Sequence, residues 1–418
     1  MKKIKIGMLG LGTVGSGVYK TLKRFDNVEI SKISVKNKNK PRNIEGLDEN
    51  SLITDPYEII NDPTIDIFVE VIGGVNPAWE YISEALKKGK HIVTANKELL
   101  AKKGKELFEL AEKCNRVVLY EAAIAGGIPL IMPLKTIMAG NKISNIQAIL
   151  NGTTNYILTK MNADGASYED VLKEAQELGY AETDPTGDVE GYDAAYKITT
   201  LATIAFGKRI DINNVYREGI SHVKAQDMTA ARELGYKIKL IALGRLNEKG
   251  QADVRVHPML VPNHSTLAHI DYVTNAVGLN GFPIGDIVLS GPGAGEFPTA
   301  SSVIGDILNI AAEIDKTDYV LPMMRCTHSQ DADMIPIDET YNKYYISITA
   351  PNNTGVIGKI GTICANKNIS LSSILQKGVS DNNTADITVI TEICKEADIQ
   401  SAIKELEECK INSLIRVM

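Results

Sequence analysis

The stretch Ile4-Lys-Ile-Gly-Met-Leu9-Gly10-Leu-Gly12-Thr13-Val14-Gly15 decides the fold. Its first six residues read as a strand, and Ser16 to Arg24 reads as a helix. A G-x-G-x-x-G run between strand and helix is the context in which glycines make a dinucleotide-binding turn. Gly10 permits the tight turn, Gly12 lets backbone approach a pyrophosphate, and Gly15 allows close helix–strand packing. The free N–H groups of Thr13, Val14 and Gly15, at the positive end of the helix dipole, suit phosphate oxygens.

Outward from that turn, strands and helices alternate. Ile65–Ile72 reads as a strand, Trp79–Lys88 as a helix and His91–Lys97 as a strand with its exit. Glu98–Asn115 follows as a helix and Arg116–Glu121 as another strand. This alternation predicts an α/β fold with a doubly wound parallel sheet. Ligands of such sheets sit beyond the carboxyl ends of the strands. That rule gathers Gly73-Gly74, Thr94–Lys97 and Glu121 around one crevice, with Lys97 the only cation of its loop. The second strand, Val28–Val35, would end in an acid if a ribose 2′-hydroxyl were read there. It ends instead in Lys36-Asn-Lys38-Asn-Lys40-Pro-Arg42, which favours NADP, with NAD the alternative.

Composition bounds the rest. A chain of 418 residues holds two or three domains. A formal charge of −7 argues against nucleic acid or an anionic membrane as partner. No apolar run reaches the ~18–20 residues of a membrane span. The start Met1-Lys-Lys-Ile-Lys-Ile is too short for a signal peptide. Five scattered cysteines without CxxC spacing read as reduced thiols, so a cytoplasmic location is expected.

In the middle of the chain the periodicity changes. Asn151-Gly-Thr-Thr-Asn155 is a polar turn able to cap a helix, and Tyr168–Leu178 is an amphipathic helix stopped by Gly179. Beyond it Asp193 and Lys197 stand four residues apart, ahead of nine uncharged residues, Ile198–Phe206. This spacing places both on one helix face. They form either a surface ion pair or a buried functional pair, buried Asp and Lys being rare otherwise. Glu182, Asp184 and Asp188 lie on the preceding turns. Carboxylates beside one lysine suit an ammonium-bearing substrate next to a proton-transfer group. Divalent-metal binding is the rival, but no histidine accompanies them. Asp331–Lys343 is polar and aperiodic, a linker, and the order βαββαβ after it is ferredoxin-like.

The motifs together resemble the homoserine dehydrogenase family over nearly the whole chain. They include GLGTVG, Gly73-Gly74, TANKELLA (Thr94–Ala101), YEAAIAGGIP (Tyr120–Pro129) and NGTTNYILTKM (Asn151–Met161). LGYAETDPTGDVEGYDAAYK (Leu178–Lys197), HPMLVP (His257–Pro262), NAV (Asn275–Val277) and GPGAGEFPTAS (Gly291–Ser301) follow in order. The resemblance implies interconversion of L-homoserine and L-aspartate 4-semialdehyde with NADP(H) or NAD(H), in threonine, methionine and isoleucine biosynthesis. It implies that Lys197 is the catalytic lysine and Asp193 the substrate-positioning acid. Glu182 would bind homoserine, and Lys97 would lie near cofactor and substrate. Glu121, Ile124, Gly126 and Ile128 match a sodium site of one carboxylate and backbone carbonyls. Gly179 and Gly293 match backbone contacts to the cofactor, joining Lys36 and Lys38. Two departures stand out: Lys36 where an arginine is expected, and His264-Ser265 where His-Pro is expected.

Tyr345–Ile357 resembles the opening of an ACT domain, which implies that Asn352 caps the first helix, that Asn352 and Gly355 stand at the effector positions and that L-threonine is the first candidate. The expected domains are 1–130 for the dinucleotide, 131–330 for catalysis and dimerisation, a linker at 331–343 and a regulatory domain at 344–418. A homodimer or homotetramer is expected. The rival is a sensor that binds NADP and an amino acid without turnover.

Overall fold

The computed structural model describes residues 3–314, 325–326, 328–377 and 383–418. Two compact units emerge. The first comprises residues 1–146, 195–213 and 274–332, and the second residues 147–194, 214–273 and 333–418.

The first unit opens with β1 (Ile4–Leu9), α1 (Thr13–Leu22), β2 (Val28–Ser34), β3 (Leu52–Ile53), α2 (Tyr57–Ile60) and β4 (Ile67–Glu70). There follow α3 (Ala78–Lys87), β5 (His91–Thr94), α4 (Lys97–Lys113), β6 (Val118–Leu119), α5 (Ala122–Ala125) and α6 (Ile131–Lys135). The sheet order is β3-β2-β1-β4-β5-β6, every pairing parallel. β4 is buried at all four positions, as a central strand covered on both faces must be. Local chemistry sets the helix limits. The Asn96 side chain accepts from the Leu99 N–H at 3.0 Å to start α4, and Asn115 at φ 51° follows its end.

The second unit begins as β7 (Lys142–Ile149) leads into α7 (Gly152–Asp164), capped by Asn151 and ended by Gly165 at φ 66°. Next come α8 (Tyr168–Glu177), α9 (Thr186–Val189) and the first residues of α10 (Tyr192–Phe206), which from Ala195 on belongs to the first unit. Then follow β8 (Tyr216–Arg217), α11 (Ala225–Glu233), β9 (Tyr236–Leu246) and β10 (Gln251–Pro262). β9 and β10 pair antiparallel over eleven residues. β10 is buried from Ala252 to Val261 without alternation, so both its faces are covered. The chain then returns to the first unit. There β11 (Thr274–Phe282) and β12 (Gly285–Pro292) form a hairpin beside β7, and α12 (Glu296–Glu313) packs on α1. A Cβ on Gly17 would meet the Glu296 carbonyl oxygen at 2.5 Å, so this helix pair closes only over glycine.

The C-terminal segment holds β13 (Asp333–Met334), β14 (Tyr341–Pro351), α13 (Val356–Asn366), β15 (Leu371–Lys377) and β16 (Thr384–Thr391). β17 (Cys394–Lys395), α14 (Glu396–Glu405) and β18 (Lys410–Val417) complete it. Strand order β18-β14-β16-β15 is the ferredoxin-like arrangement, over a core of Tyr344, Ile346, Ile348, Ile360, Val389 and Ile399. Two features differ from a linker joining separate domains. β13 and the first residues of β14 lie inside 331–343, β13 pairing parallel with β10. β18 also pairs parallel with β10, Met259 opposite Arg416. One sheet therefore runs β9-β10-β18-β14-β16-β15 through the second unit.

Candidate active site

The glycine-rich turn fits a dinucleotide. Gly10 has φ 104°, and a Cβ there would meet Ile72 Cγ2 at 2.9 Å. A Cβ on Gly15 would lie 2.4 Å from the Gly10 carbonyl oxygen. At Gly12 nothing lies within 4 Å. The outer glycines are thus required by the protein itself, whereas the middle one faces open space, as close approach of a phosphate demands. Thr13 and Val14 open α1 beside it. Lys36, Lys38 and Lys40 are exposed just past β2. Arg42 instead shapes their loop, donating to the carbonyls of Asn37 at 2.7 Å, Lys38 at 3.2 Å and Lys40 at 2.9 Å. Three lysines, not four cations, are therefore left to meet an anion.

At the carboxyl ends of the parallel strands a carboxylate fixes the loops. Glu70 is wholly buried and accepts from the Ile72 N–H at 2.9 Å, the Gly73 N–H at 3.0 Å and the Thr94 hydroxyl at 2.6 Å. Burial pushes its pKa up, against the lowering effect of these donors. Asn96 Nδ2 donates to the Gly74 carbonyl at 2.6 Å, tying that loop to the start of α4. Lys97, half-buried, is the first residue of α4, where a cation opposes the helix dipole. Glu70 escaped sequence reasoning. Its signal was a charge ending an otherwise apolar strand.

Glu121 is buried, and its carboxylate accepts from the backbone N–H groups of Leu130 (2.5 Å), Ile131 (2.8 Å) and Met132 (2.7 Å), the start of α6. Its own N–H donates to Asp306 at 2.8 Å, and burial pushes the Asp306 pKa well up. Of a carboxylate's about four acceptor positions these bonds take three, leaving one on Oε2. The neighbouring carbonyls have room as well. Gly126 accepts from the Ser302 hydroxyl at 2.6 Å and keeps a second lone pair, on the same turn as Ile124 and Ile128. A Cβ on Gly126 would lie 2.5 Å from the Gly293 carbonyl oxygen, so these two backbones pack directly.

The second unit holds the acids. Asp193, 7% exposed, and Lys197, 8% exposed, lie one turn apart on α10. Those burials decide the open choice against a surface ion pair. Asn151 Nδ2 donates to Asp188 at 2.7 Å and to Asp193 at 2.9 Å. Glu182 and Asp184 are exposed in the loop before α9, where Asp184 accepts from the Thr186 N–H at 3.1 Å. Hydrogen bonding from the Thr186 side chain, and then from its backbone N–H, lowers the Asp184 pKa. Thr153 at the start of α7 anchors this loop by donating to the Tyr180 carbonyl at 2.7 Å. Gly179, at φ 76°, turns the chain out of α8. The Arg217 guanidinium stacks 3.4 Å from the Tyr192 ring centre, beside Asp193 in sequence. The sequence marked Asn151 only as a helix cap. It missed the bridge between two carboxylates.

In the C-terminal segment the helix cap differs from expectation. Gly355 at φ 91° precedes α13 with no side-chain cap. The exposed Asn352 accepts from Gln376 at 3.4 Å and donates its N–H to the Asn383 carbonyl at 2.9 Å. The chain turns into α13 through glycine's left-handed freedom, so Asn352 is left facing β15 and β16 rather than the helix.

A doubly wound parallel sheet with an open glycine turn, plus a buried acid–lysine pair, defines a nucleotide-dependent oxidoreductase. Comparison with known proteins narrows the class. Residues 10–121 match the homoserine dehydrogenase NAD-binding domain, residues 129–308 the homoserine dehydrogenase family proper, and residues 344–410 the ACT domain. A homoserine dehydrogenase of Neisseria gonorrhoeae is 42% identical, over 97% of this chain and 96% of its own. One from Synechocystis is 41% identical over 99% of both. The crystal structure of a homoserine dehydrogenase from Thiobacillus denitrificans superposes with a TM-score of 0.94 at 39% identity, over 100% of this chain and 99% of its own. A hyperthermophilic archaeal homoserine dehydrogenase in complex with NADPH matches 76% of this chain and 100% of its own, with a TM-score of 0.63 at 28% identity. This chain belongs to the homoserine dehydrogenase family, as an NAD(P)-dependent enzyme with a C-terminal ACT domain. A sensor without turnover is not favoured by these similarities.

Proposed function

We propose that this dehydrogenase uses NADP(H) in preference to NAD(H) and that Lys197 handles the proton of the reaction. The observation that carries the reading is the buried pair Asp193 and Lys197, one turn apart on α10. The bound dinucleotide would supply or accept the hydride. In the reducing direction the Lys197 ammonium gives a proton to the aldehyde oxygen as hydride reaches the carbon, leaving the alcohol and a neutral amine. In the oxidising direction that amine takes the hydroxyl proton back. Such positioned proton transfer contributes about a hundred- to ten-thousandfold. Asp193 and Glu182 orient the amino-acid end of L-homoserine or L-aspartate 4-semialdehyde, and Lys97 adds positive charge at the crevice end of the sheet.

Gly10, Gly12, Thr13, Val14 and Gly15 would hold the pyrophosphate, with further backbone contacts from Gly179 and Gly293. Lys36 and Lys38 would meet a 2′-phosphate, and the NADPH complex of the archaeal relative supports this choice. A lysine lacks the arginine fork, so the discrimination rests on charge. Sodium, if bound, would rest on Glu121 and the carbonyls around Ile124, Gly126 and Ile128. The pathway reading, toward threonine, methionine and isoleucine, and feedback through the ACT domain at Asn352 and Gly355 by L-threonine, rest on the family. So does assembly as a homodimer or homotetramer.

The test is Lys197→Ala. Turnover should vanish while dinucleotide affinity, read by quenching of reduced-nicotinamide fluorescence, changes less than about threefold. A near wild-type kcat would remove Lys197 from the chemistry.

A further inference from the structure

Asn151 does more than begin a helix. Its side chain is 95% buried, with 5% exposure, and all four of its hydrogen-bonding positions are engaged. Oδ1 accepts from the Thr154 N–H at 2.8 Å and the Thr154 hydroxyl at 2.9 Å. Those two donors fix which end of the amide is oxygen. The NH2 group must then face the acids, and it donates to Asp188 Oδ1 at 2.7 Å and Asp193 Oδ2 at 2.9 Å.

The consequence is electrostatic. Two carboxylates brought to one small group repel, and repulsion is stronger where water is excluded. An amide with two N–H donors is the neutral group that can hold both at once, each in a fixed direction. Asp188 comes from α9 and Asp193 from the first turn of α10, two elements separated by Gly191 at φ 77°. The backbone also spans this joint, the Gly191 N–H donating to the Asp188 carbonyl at 2.9 Å, and the Asn151 amide adds a direct link between the two side chains.

We infer that Asn151 is a positioning residue for catalysis: it clamps Asp188 and Asp193 as a paired anionic seat for the substrate ammonium. The inference rests on the reading of Asp193 as the substrate-orienting acid. An ammonium has three donors and no acceptor, so two carboxylates held at a set spacing recognise it better than one. The cap to Thr154 ties that seat to α7, so seat and helix move together.

The variants separate clamp from cap. Asp and Ser both cap helices as well as Asn does. Asn151→Asp keeps the shape and the cap but turns an oxygen toward two carboxylates. Asn151→Ser keeps the cap and loses at least one of the two donors. Asn151→Ser should retain the thermal transition within a few degrees, Asn151→Asp should lower it through the added buried carboxylate, and both should bind dinucleotide within about threefold of wild type. KM for homoserine should rise and kcat/KM for homoserine fall about ten- to hundredfold in Asn151→Ser, the scale of losing a hydrogen bond to a charged group. Asn151→Asp should fall further, with dinucleotide KM unmoved in each case. Wild-type kcat/KM for homoserine in either folded variant overturns the clamp. Asp193→Asn is measured in parallel. If it keeps full activity the underlying assignment of Asp193 fails. If it is crippled while the Asn151 variants are normal, only the clamp fails.

Discussion

At the residue scale the informative positions are polar groups placed where water does not reach. Asp193, Lys197, Asn151, Glu70 and Glu121 are all buried, and none sits there cheaply. Glu70 and Glu121 hold backbone loops, whereas Asp193 and Lys197 are the pair that the family resemblance singles out. The lysine loop is the opposite case, exposed charge whose meaning depends on a ligand. With Arg42 bound to its own loop, Lys36 and Lys38 are the charges to test. Replacing both by Ala should weaken NADP binding about tenfold or more, because a doubly charged phosphate loses two partners, while NAD binding changes little. Paired titrations of the two dinucleotides check this. A wild type that already prefers NAD would show that the loop is only a solvated face.

At the element scale, the pattern of the chain predicted the parallel sheet closely because each strand there is a short apolar run punctuated by glycine or a cap. β1, predicted as Ile4–Leu9, forms over those residues, and α8, predicted as Tyr168–Leu178, ends one residue earlier. The ferredoxin-like strands were equally legible. The long strands β9 to β12 were not read. Their sequence is buried on both faces in β10, which removes the alternation that marks a strand, and their pairing is set by tertiary contact. The join between β10 and β18 was also invisible, since a strand's neighbours are not written in its own residues. That join bears on truncation. Arg416 is 2% exposed and ion-pairs with Glu396 at 2.7 Å and Glu218 at 2.7 Å. Asp227, wholly buried, accepts from Tyr345 at 3.1 Å and Ser413 at 2.6 Å, and Arg255 donates to Thr340 at 3.2 Å and Asn342 at 2.7 Å. Cutting after residue 330 would strip partners from Asp227, Arg255 and Glu218 together. Arg255 keeps Asp253 at 3.2 Å and Glu218 keeps His222 at 3.1 Å. The cut also uncovers the edge of β10 that pairs with β18, however, and together these losses weigh against a typical total stability of ~5–15 kcal/mol. A chain of residues 1–330 should therefore aggregate or lose its cooperative thermal transition, contrary to what a polar linker suggests. Recovery of a soluble, active 1–330 fragment would show that the joint is dispensable.

At the scale of the whole molecule, the second unit contains both the stretch bearing Asp193 and the ACT segment, and one sheet runs from β9 and β10 into that segment. The proposed regulation has a structural medium in that unit, and coupling through it requires an element with two states that both ligands bias. An inhibitor must bind the less active state more tightly, and a coupling of ~1–3 kcal/mol, about five- to 150-fold in affinity, would be ordinary. Because the segment cannot be cut away cleanly, the test must use the full chain. Activity measured against a panel of amino acids derived from aspartate should show inhibition by L-threonine. Linkage then requires that saturating L-threonine weaken substrate binding by the same factor by which substrate weakens L-threonine. Asn352→Ala removes the exposed amide beside β15, and Gly355→Ala forces a side chain into φ 91° at the start of α13. Each should raise the L-threonine concentration for half-inhibition, scored against its own effector-free rate. A wild-type chain indifferent to the whole panel would leave the C-terminal segment as a structural part of the second unit, holding Asp227, Arg255 and Glu218 in place.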